Sequence, residues 1–310
     1  MGAIRIPPGG QARPRGAGQS EAHQALSCTQ ETAVITRRSF VSATCAFGLG
    51  SMISMPAFAQ NESTMERVKR TKVLRTGFIA GAAPYYVKSV ATGQWQGFCV
   101  DFANHLAESM GVKLQAIDTT WGNAVLDLQS NKIDCMFGLA PTEQRKKTVG
   151  FTDPLFQNTF TLVAKKSFDP KTWEDVNKPE VRLSVDQGSN QDTFATQTLT
   201  KAALHRFETS GDATLALQTG RVDAQVLVIL LAVTVLSKSP QLGHLVIPTP
   251  AATAPTSIGV QKEPDQAFTA YVNQWLTTER SKGAIKQTIV DNMQKLAGVD
   301  PKLFPKEATF

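Results

Sequence analysis

Two hydrophobic periods alternate along most of this chain, and they come in a repeating order. Residues 72–79 read as a strand, and the turn Gly81-Ala82-Ala83-Pro84 leads to Tyr85-Tyr86. From Gly97, apolar residues recur at Val100, Ala103, Leu106, Ala107 and Met110, the spacing of one helical face, and Gly111 closes that helix. Residues 112–117 alternate as a strand, and 121–129 are helical with Ala124, Val125 and Leu128 on one side. The apolar run at 133–139 is a third strand, stopped by Gly and Pro. This βαβαβ order predicts a parallel sheet with right-handed crossovers.

A second set follows a β-rich run at 159–165. Residues 181–185 read as a strand, and Gln187-Gly188-Ser189-Asn190 is a turn that caps a helix. Further helices are expected at 212–218, at the very apolar 229–236, at 265–277 and at 282–296; strands are expected at 222–228 and 256–261. Phe268, Tyr271, Val272 and Trp275 hold the helical spacing in the penultimate element. Two α/β units joined by extended segments predict two lobes with a cleft between them, an arrangement that closes on ligands by hinge motion.

The amino-terminal stretch obeys neither period. Arg37-Arg38 precedes a weakly apolar span to about Met55 and then Ala57-Phe58-Ala59, the order of a twin-arginine export signal with an A-x-A cleavage site. The span is too short and polar for a membrane helix, and Ser-Ala-Thr before Cys45 is a poor lipid-attachment pattern. Cleavage there leaves about 250 residues, enough for two small lobes. The net charge of +6 is partly the leader's, which holds five Arg against two Glu. The remaining basic residues are scattered with no aromatic interleaving, which argues against a nucleic-acid partner. Two cysteines remain, Cys99 and Cys135; an oxidising compartment permits a disulfide, while their apolar surroundings suit two buried thiols.

Candidate chemistry concentrates after the third strand. Gly138-Leu139-Ala140-Pro141-Thr142-Glu143-Gln144-Arg145 delivers a hydroxyl and a guanidinium three residues apart at a strand's carboxyl end, where open α/β sheets hold ligands. Arg grips a carboxylate with two parallel charge-assisted hydrogen bonds. Past the leader only His105, His205 and His244 remain, none in a metal spacing or beside a nucleophile, and no phosphate-binding or G-x-S-x-G motif occurs. No cofactor, metal or catalytic residue is expected.

Seven segments in order then give a resemblance over residues 65–296. They are Ala83-Pro84-Tyr85, Gly97 to Phe102, Leu128 to Asp134, Gly138 to Arg145, Phe151-Thr152-Asp153-Pro154, Gln187-Gly188-Ser189 and Gly220-Arg221-Val222-Asp223-Ala224. Together they resemble the extracytoplasmic solute-binding proteins of polar-amino-acid ABC transporters, bacterial family 3. The resemblance implies an α/β fold of the type II periplasmic-binding-protein kind, with two lobes and two hinge strands crossing near Leu162 and Ser257. The expected arrangement is residues 1–59 as a removed signal, 60–162 plus 256–310 as the first lobe, to which the tail helices return, and 163–255 as the second. It implies a periplasmic monomer that binds an amino acid or small carboxylate and delivers it to a membrane permease.

Residue by residue, the resemblance has Arg145 binding a ligand carboxylate, Thr142 adding a hydroxyl and Gly138 a backbone carbonyl. Ser189 and Asn190 offer donors from a helix start, Trp121 lies against the ligand's side chain, and Tyr85 lies near the cleft. One departure stands out: the family's usual Asp for the ligand ammonium is Val228 here. Ala140 and Ala82 depart from a hydroxyl and an aromatic in the same way. A carboxylate without an α-ammonium would fit this pattern; so would an amine met by Asp186, Asp192 or Asp153. Asp134 and Asp223 are expected to brace local backbone. The alternative is a lyase on this fold, resembling the cyclohexadienyl dehydratases, which would keep the Arg.

Overall fold

The computed structural model describes residues 62–300. The export segment, its cleavage site and the tail beyond 300 lie outside the described residues. The first apolar run forms β1 (Val73–Ile79), after a helix α1 (Thr64–Thr71) that periodicity did not reveal. Ser63 caps α1 by accepting from the Glu66 N–H, and the Glu66 carboxylate reaches back to the Ser63 N–H. A small hairpin, β2 (Val87–Lys88) and β3 (Trp95–Gln96), precedes α2 (Phe98–Ser109), β4 (Lys113–Thr119), α3 (Ala124–Gln129) and β5 (Cys135–Leu139). The expected parallel pairing is present, with β1 between β4 and β5 and parallel to both. The α2 stripe of Phe98, Phe102, Ala103 and Leu106 is buried against them, each large side chain contributing about 1.5–3 kcal/mol.

The chain then makes a one-turn helix α4 (Glu143–Lys146) and a short β6 (Gly150–Phe151) before the long β7 (Phe156–Ala164). Next come α5 (Trp173–Val176), β8 (Arg182–Asp186), α6 (Asn190–Thr198), β9 (Ala203–Phe207), α7 (Ser210–Gln218), β10 (Ala224–Val228) and α8 (Ile229–Lys238). A second parallel set results, with β8 between β9 and β10. After β11 (His244–Val246) and β12 (Thr253–Val260) come α9 (Ala267–Ser281) and α10 (Ala284–Ala297), the last helix among the described residues.

The two parallel sets join through β7 and β12, giving the order β4-β1-β5-β12-β7-β10-β8-β9. Residues 156–159 of β7 pair antiparallel with 253–256 of β12, and 160–164 pair with β10; residues 257–260 of β12 pair with β5. Both strands therefore run from one half of the sheet into the other. This is a mixed α/β fold with a curled sheet. The last helix touches both halves: the Asn292 amide donates to Asp101 on α2 at 2.7 Å, and the Thr234 hydroxyl on α8 meets Met293 Sδ at 3.7 Å.

Each half is braced by the same device. Leu128-Gln129-Ser130-Asn131-Lys132-Ile133-Asp134 and Leu217-Gln218-Thr219-Gly220-Arg221-Val222-Asp223 both end a helix and open a strand, turning through a left-handed residue, Asn131 or Gly220. Asp134 accepts from the Arg75 N–H at 2.6 Å and from the Arg67 and Arg75 guanidinium groups. Asp223 accepts from the Arg182 N–H at 2.9 Å, the Arg182 guanidinium and Lys165. The Arg182 and Lys165 hydrogen bonds hold the Asp223 carboxyl well below the usual carboxylate range. Both aspartates thus brace the backbone at the start of a parallel strand. Cys99 and Cys135 are free thiols in the first half's core, and burial pushes Cys135 up to about 12.

Candidate functional site

Two turns at strand carboxyl ends meet between the halves of the sheet. In the first, β5 stops at Leu139, and the Thr142 hydroxyl accepts from the Arg145 N–H at 3.3 Å. That cap fixes the single turn of α4 and swings Arg145 inward, where the residue is only 7% exposed. The Arg145 guanidinium donates to Ala140 O at 3.0 Å and to Gly188 O at 2.8 Å, the second bond crossing to the other half. Among the described residues no carboxylate pairs with it. Desolvation pulls its pKa down to about 10, so at neutral pH it remains a buried cation without a counter-ion.

The second turn, after β8, is held as firmly. The Ser189 hydroxyl accepts from the Asp192 N–H at 3.1 Å, and the Asp192 carboxylate accepts from the Gly188 N–H at 2.9 Å and Arg206 Nε at 2.8 Å. Gly188 has φ +70°, and a Cβ there would stand 2.7 Å from the Gly122 Cα. The two halves therefore touch backbone to backbone where Arg145 bridges them.

Behind this contact lies a cavity lined from both halves by Tyr85, Trp121, Gly138, Ala140, Arg145, Asn158, Asn190, Gln191, Val228, Leu231 and Thr256. Its free volume is about 20 Å³, room for a water and too little for an amino acid. Trp121 and Arg145 form the wall between this cavity and an outer groove of about 570 Å³. Tyr85 packs edge-on to Trp121 with ring centroids 6.3 Å apart, and its hydroxyl joins Asn158, whose amide donates to Thr256 at 2.6 Å. Gly138, at φ +80°, admits the Tyr85 ring: a Cβ there would meet Tyr85 Cδ1 at 3.0 Å. The Asn190 Nδ2 is buried with no partner.

Five of the expected site residues, Tyr85, Trp121, Gly138, Arg145 and Asn190, thus share one cavity. Thr142 and Ser189 do not line it; both hydroxyls cap helices, and Thr142 borders the outer groove. Of the three acids considered for an amine, Asp153 is exposed, Asp192 is taken up by Arg206 and the Gly188 N–H, and Asp186 is buried outside the lining. Asn158, Gln191, Leu231 and Thr256 were not anticipated. Asn158 and Thr256 sit on the crossing strands among other polar residues, Gln157, Thr159 and Ser257, so nothing in the sequence singles them out.

The sequence profile of the bacterial extracellular solute-binding proteins, family 3, matches residues 74–295. The chain belongs to this family. The chain is 25% identical over 240 residues to a cyclohexadienyl dehydratase of Pseudomonas aeruginosa, covering 76% of this chain and 88% of that one. It is 29% identical over 184 residues to an L-arginine-binding protein of the same species, covering 57% and 64%. The crystal structure of an ancestral amino acid-binding protein, described as a precursor of cyclohexadienyl dehydratase, matches with TM-score 0.67 and 29% identity, covering 76% of this chain and all of that one. Family 3 members work outside the cytoplasm, and the type II two-lobed fold of the structural neighbours agrees with the crossing strands seen here.

Proposed function

We propose that this protein is the solute-binding component of an ABC importer, taking a small carboxylate or amino acid between two closing lobes. The observation that carries the reading is Arg145: a buried guanidinium with no acidic partner among the described residues, facing a cavity shared by both halves. An incoming carboxylate would replace the two backbone carbonyls with a forked, charge-assisted pair. In the open form residues 60–162 with 256–310 separate from 163–255 about β7 and β12. Closure then brings Asn190 onto the captured acid and excludes water, which strengthens each polar contact. The twin-arginine segment at 1–59 would export the chain, and the closed monomer would dock on a membrane permease.

The dehydratase among the relatives raises a lyase as the second reading. Expelling water from a ring alcohol needs a proton donor at the leaving oxygen. The lining residues include no Asp, Glu, His or Cys. Tyr85 is raised well above the ordinary tyrosine range by burial, and Arg145 is committed to the ligand carboxylate in this reading. Binding without turnover is the better fit. A thermal-shift screen of amino acids, hydroxy acids, oxo acids and aromatic acids, followed by product analysis of each hit, tests it. Stabilisation with the ligand recovered unchanged supports a carrier, and product formation refutes it.

A further inference from the structure

The cavity's field is positive from two sides. Arg145 supplies a full charge, and among the described lining residues no acidic side chain offsets it. The second source is α8, a ten-residue helix whose first turn carries Val228 and Leu231 into the lining. Its cap position is Val228, so no side chain accepts from the N–H groups of the opening turn. Those groups have no partner inside the helix, and the helix dipole concentrates positive potential there. Val228, Ile229, Leu230 and Leu231 are all nearly fully buried, which limits what water can do for them. The rest of the polar lining is neutral: the amides of Asn158, Asn190 and Gln191 and the hydroxyls of Tyr85 and Thr256. The Asn190 amide nitrogen adds an unused donor.

An α-amino acid carries an ammonium one carbon away from its carboxylate. Seating that carboxylate on Arg145 brings the ammonium into a cavity with a fixed guanidinium and a helix amino terminus, and with no anion to meet it. A buried ammonium without such a partner is costly. An oxygen at the same carbon meets the opposite situation. A hydroxyl or oxo group can accept from the free N–H groups of α8 or from the Asn190 amide, and it adds no charge.

We infer that the site selects carboxylates that bear a hydroxyl or oxo group, or nothing, in place of the α-ammonium, and rejects the matching amino acids. This rests on the reading of Arg145 as the carboxylate anchor. The selectivity comes from the absence, among the described residues lining the cavity, of an acid beside the α8 amino terminus.

Matched pairs test it on the intact protein by thermal shift and calorimetry: lactate and pyruvate against alanine, phenyllactate and phenylpyruvate against phenylalanine, 2-oxoglutarate against glutamate. In every pair that binds, the hydroxy or oxo acid is expected to bind at least tenfold more tightly. Tighter binding of an amino acid, lost in Arg145→Ala, would overturn the inference and leave the anchor standing. Binding unaffected by Arg145→Ala, or binding by no member of any series, would overturn the anchor itself. Val228→Asp supplies both a cap for α8 and a partner for an ammonium, so it is expected to move the preference at least tenfold toward the amino acid. An unchanged preference in a folded Val228→Asp protein would refute the role given to α8. Should that variant not fold, the wild-type pairs decide alone.

Discussion

Closure can be tested at the one point where the two halves meet backbone to backbone. In Gly188→Ala the new Cβ would stand 2.7 Å from the Gly122 Cα. Carbon atoms make ordinary contact near 3.5–4.0 Å, so the backbones must part by most of an ångström. The bond from Arg145 to Gly188 O, now 2.8 Å, would be lost with the contact. The substitution also places an L side chain at φ +70°, which costs about 1–2 kcal/mol wherever it is done. Gly220 separates the two effects. It has φ +72° and nothing within 4 Å of a Cβ, so Gly220→Ala carries the conformational cost without the clash. Both variants should lose a similar few degrees of Tm. Gly188→Ala alone should bind the best-stabilising acid at least tenfold more weakly, about 1.4 kcal/mol, and stay expanded by small-angle scattering when ligand is added. Equal affinities in Gly188→Ala and Gly220→Ala would refute the contact as part of the closed state.

The remaining tests address charge. Arg145→Ala should weaken binding of any ligand acid by at least tenfold by calorimetry while far-UV circular dichroism stays unchanged. Asp186 is buried, and desolvation raises its pKa to about 6, opposed in part by a hydrogen bond from Ser210. A raised carboxyl favours the folded state when protonated, so this contribution is present below pH 4 and lost as pH rises through 6. Asp186→Asn should therefore gain up to about 3 kcal/mol of stability at pH 8 and almost nothing at pH 4, read from denaturant melts at both values. Asp223 runs the other way. Its lowered pKa stabilises the fold above the usual carboxylate range and fades in acid, so Asp223→Asn should lower Tm at pH 7 and converge on wild type as pH falls toward 2.

Most of the periodic elements were readable because burial imposed the period; β4, an edge strand with no fully buried residue, was readable from its alternation alone. Strands β1, β4, β5, β8 and β10 and helices α2, α8, α9 and α10 all fall where apolar spacing puts them. Helix α1 escaped because most of its surface is polar and it is held by three buried residues and by polar bonds from Thr64 to Glu263 and Arg67 to Asp134. Strand β9 escaped because its five residues carry His205 and Arg206 side by side, which breaks the alternation between Leu204 and Phe207. At the site, Arg145 was legible from the Gly-Pro turn before it. Asn158 and Thr256 were not, because only the pairing of β7 with β12 brings them under the cavity. The hydroxyls of Thr142 and Ser189 illustrate a general ambiguity, since a residue one step from a ligand in sequence can be occupied in capping the helix that presents it. The duplicated brace at Asp134 and Asp223 was visible as two similar heptapeptides, but its meaning needed the two arginines that each carboxylate holds.

The most direct measurement is a crystal structure of the protein with the acid that stabilises it most. Two parallel Arg145 N–H···O bonds to the ligand carboxylate are expected at about 2.7–2.9 Å, in a cavity closed by both halves. A carboxylate bound elsewhere, with Arg145 still donating to Ala140 O and Gly188 O, would contradict that expectation.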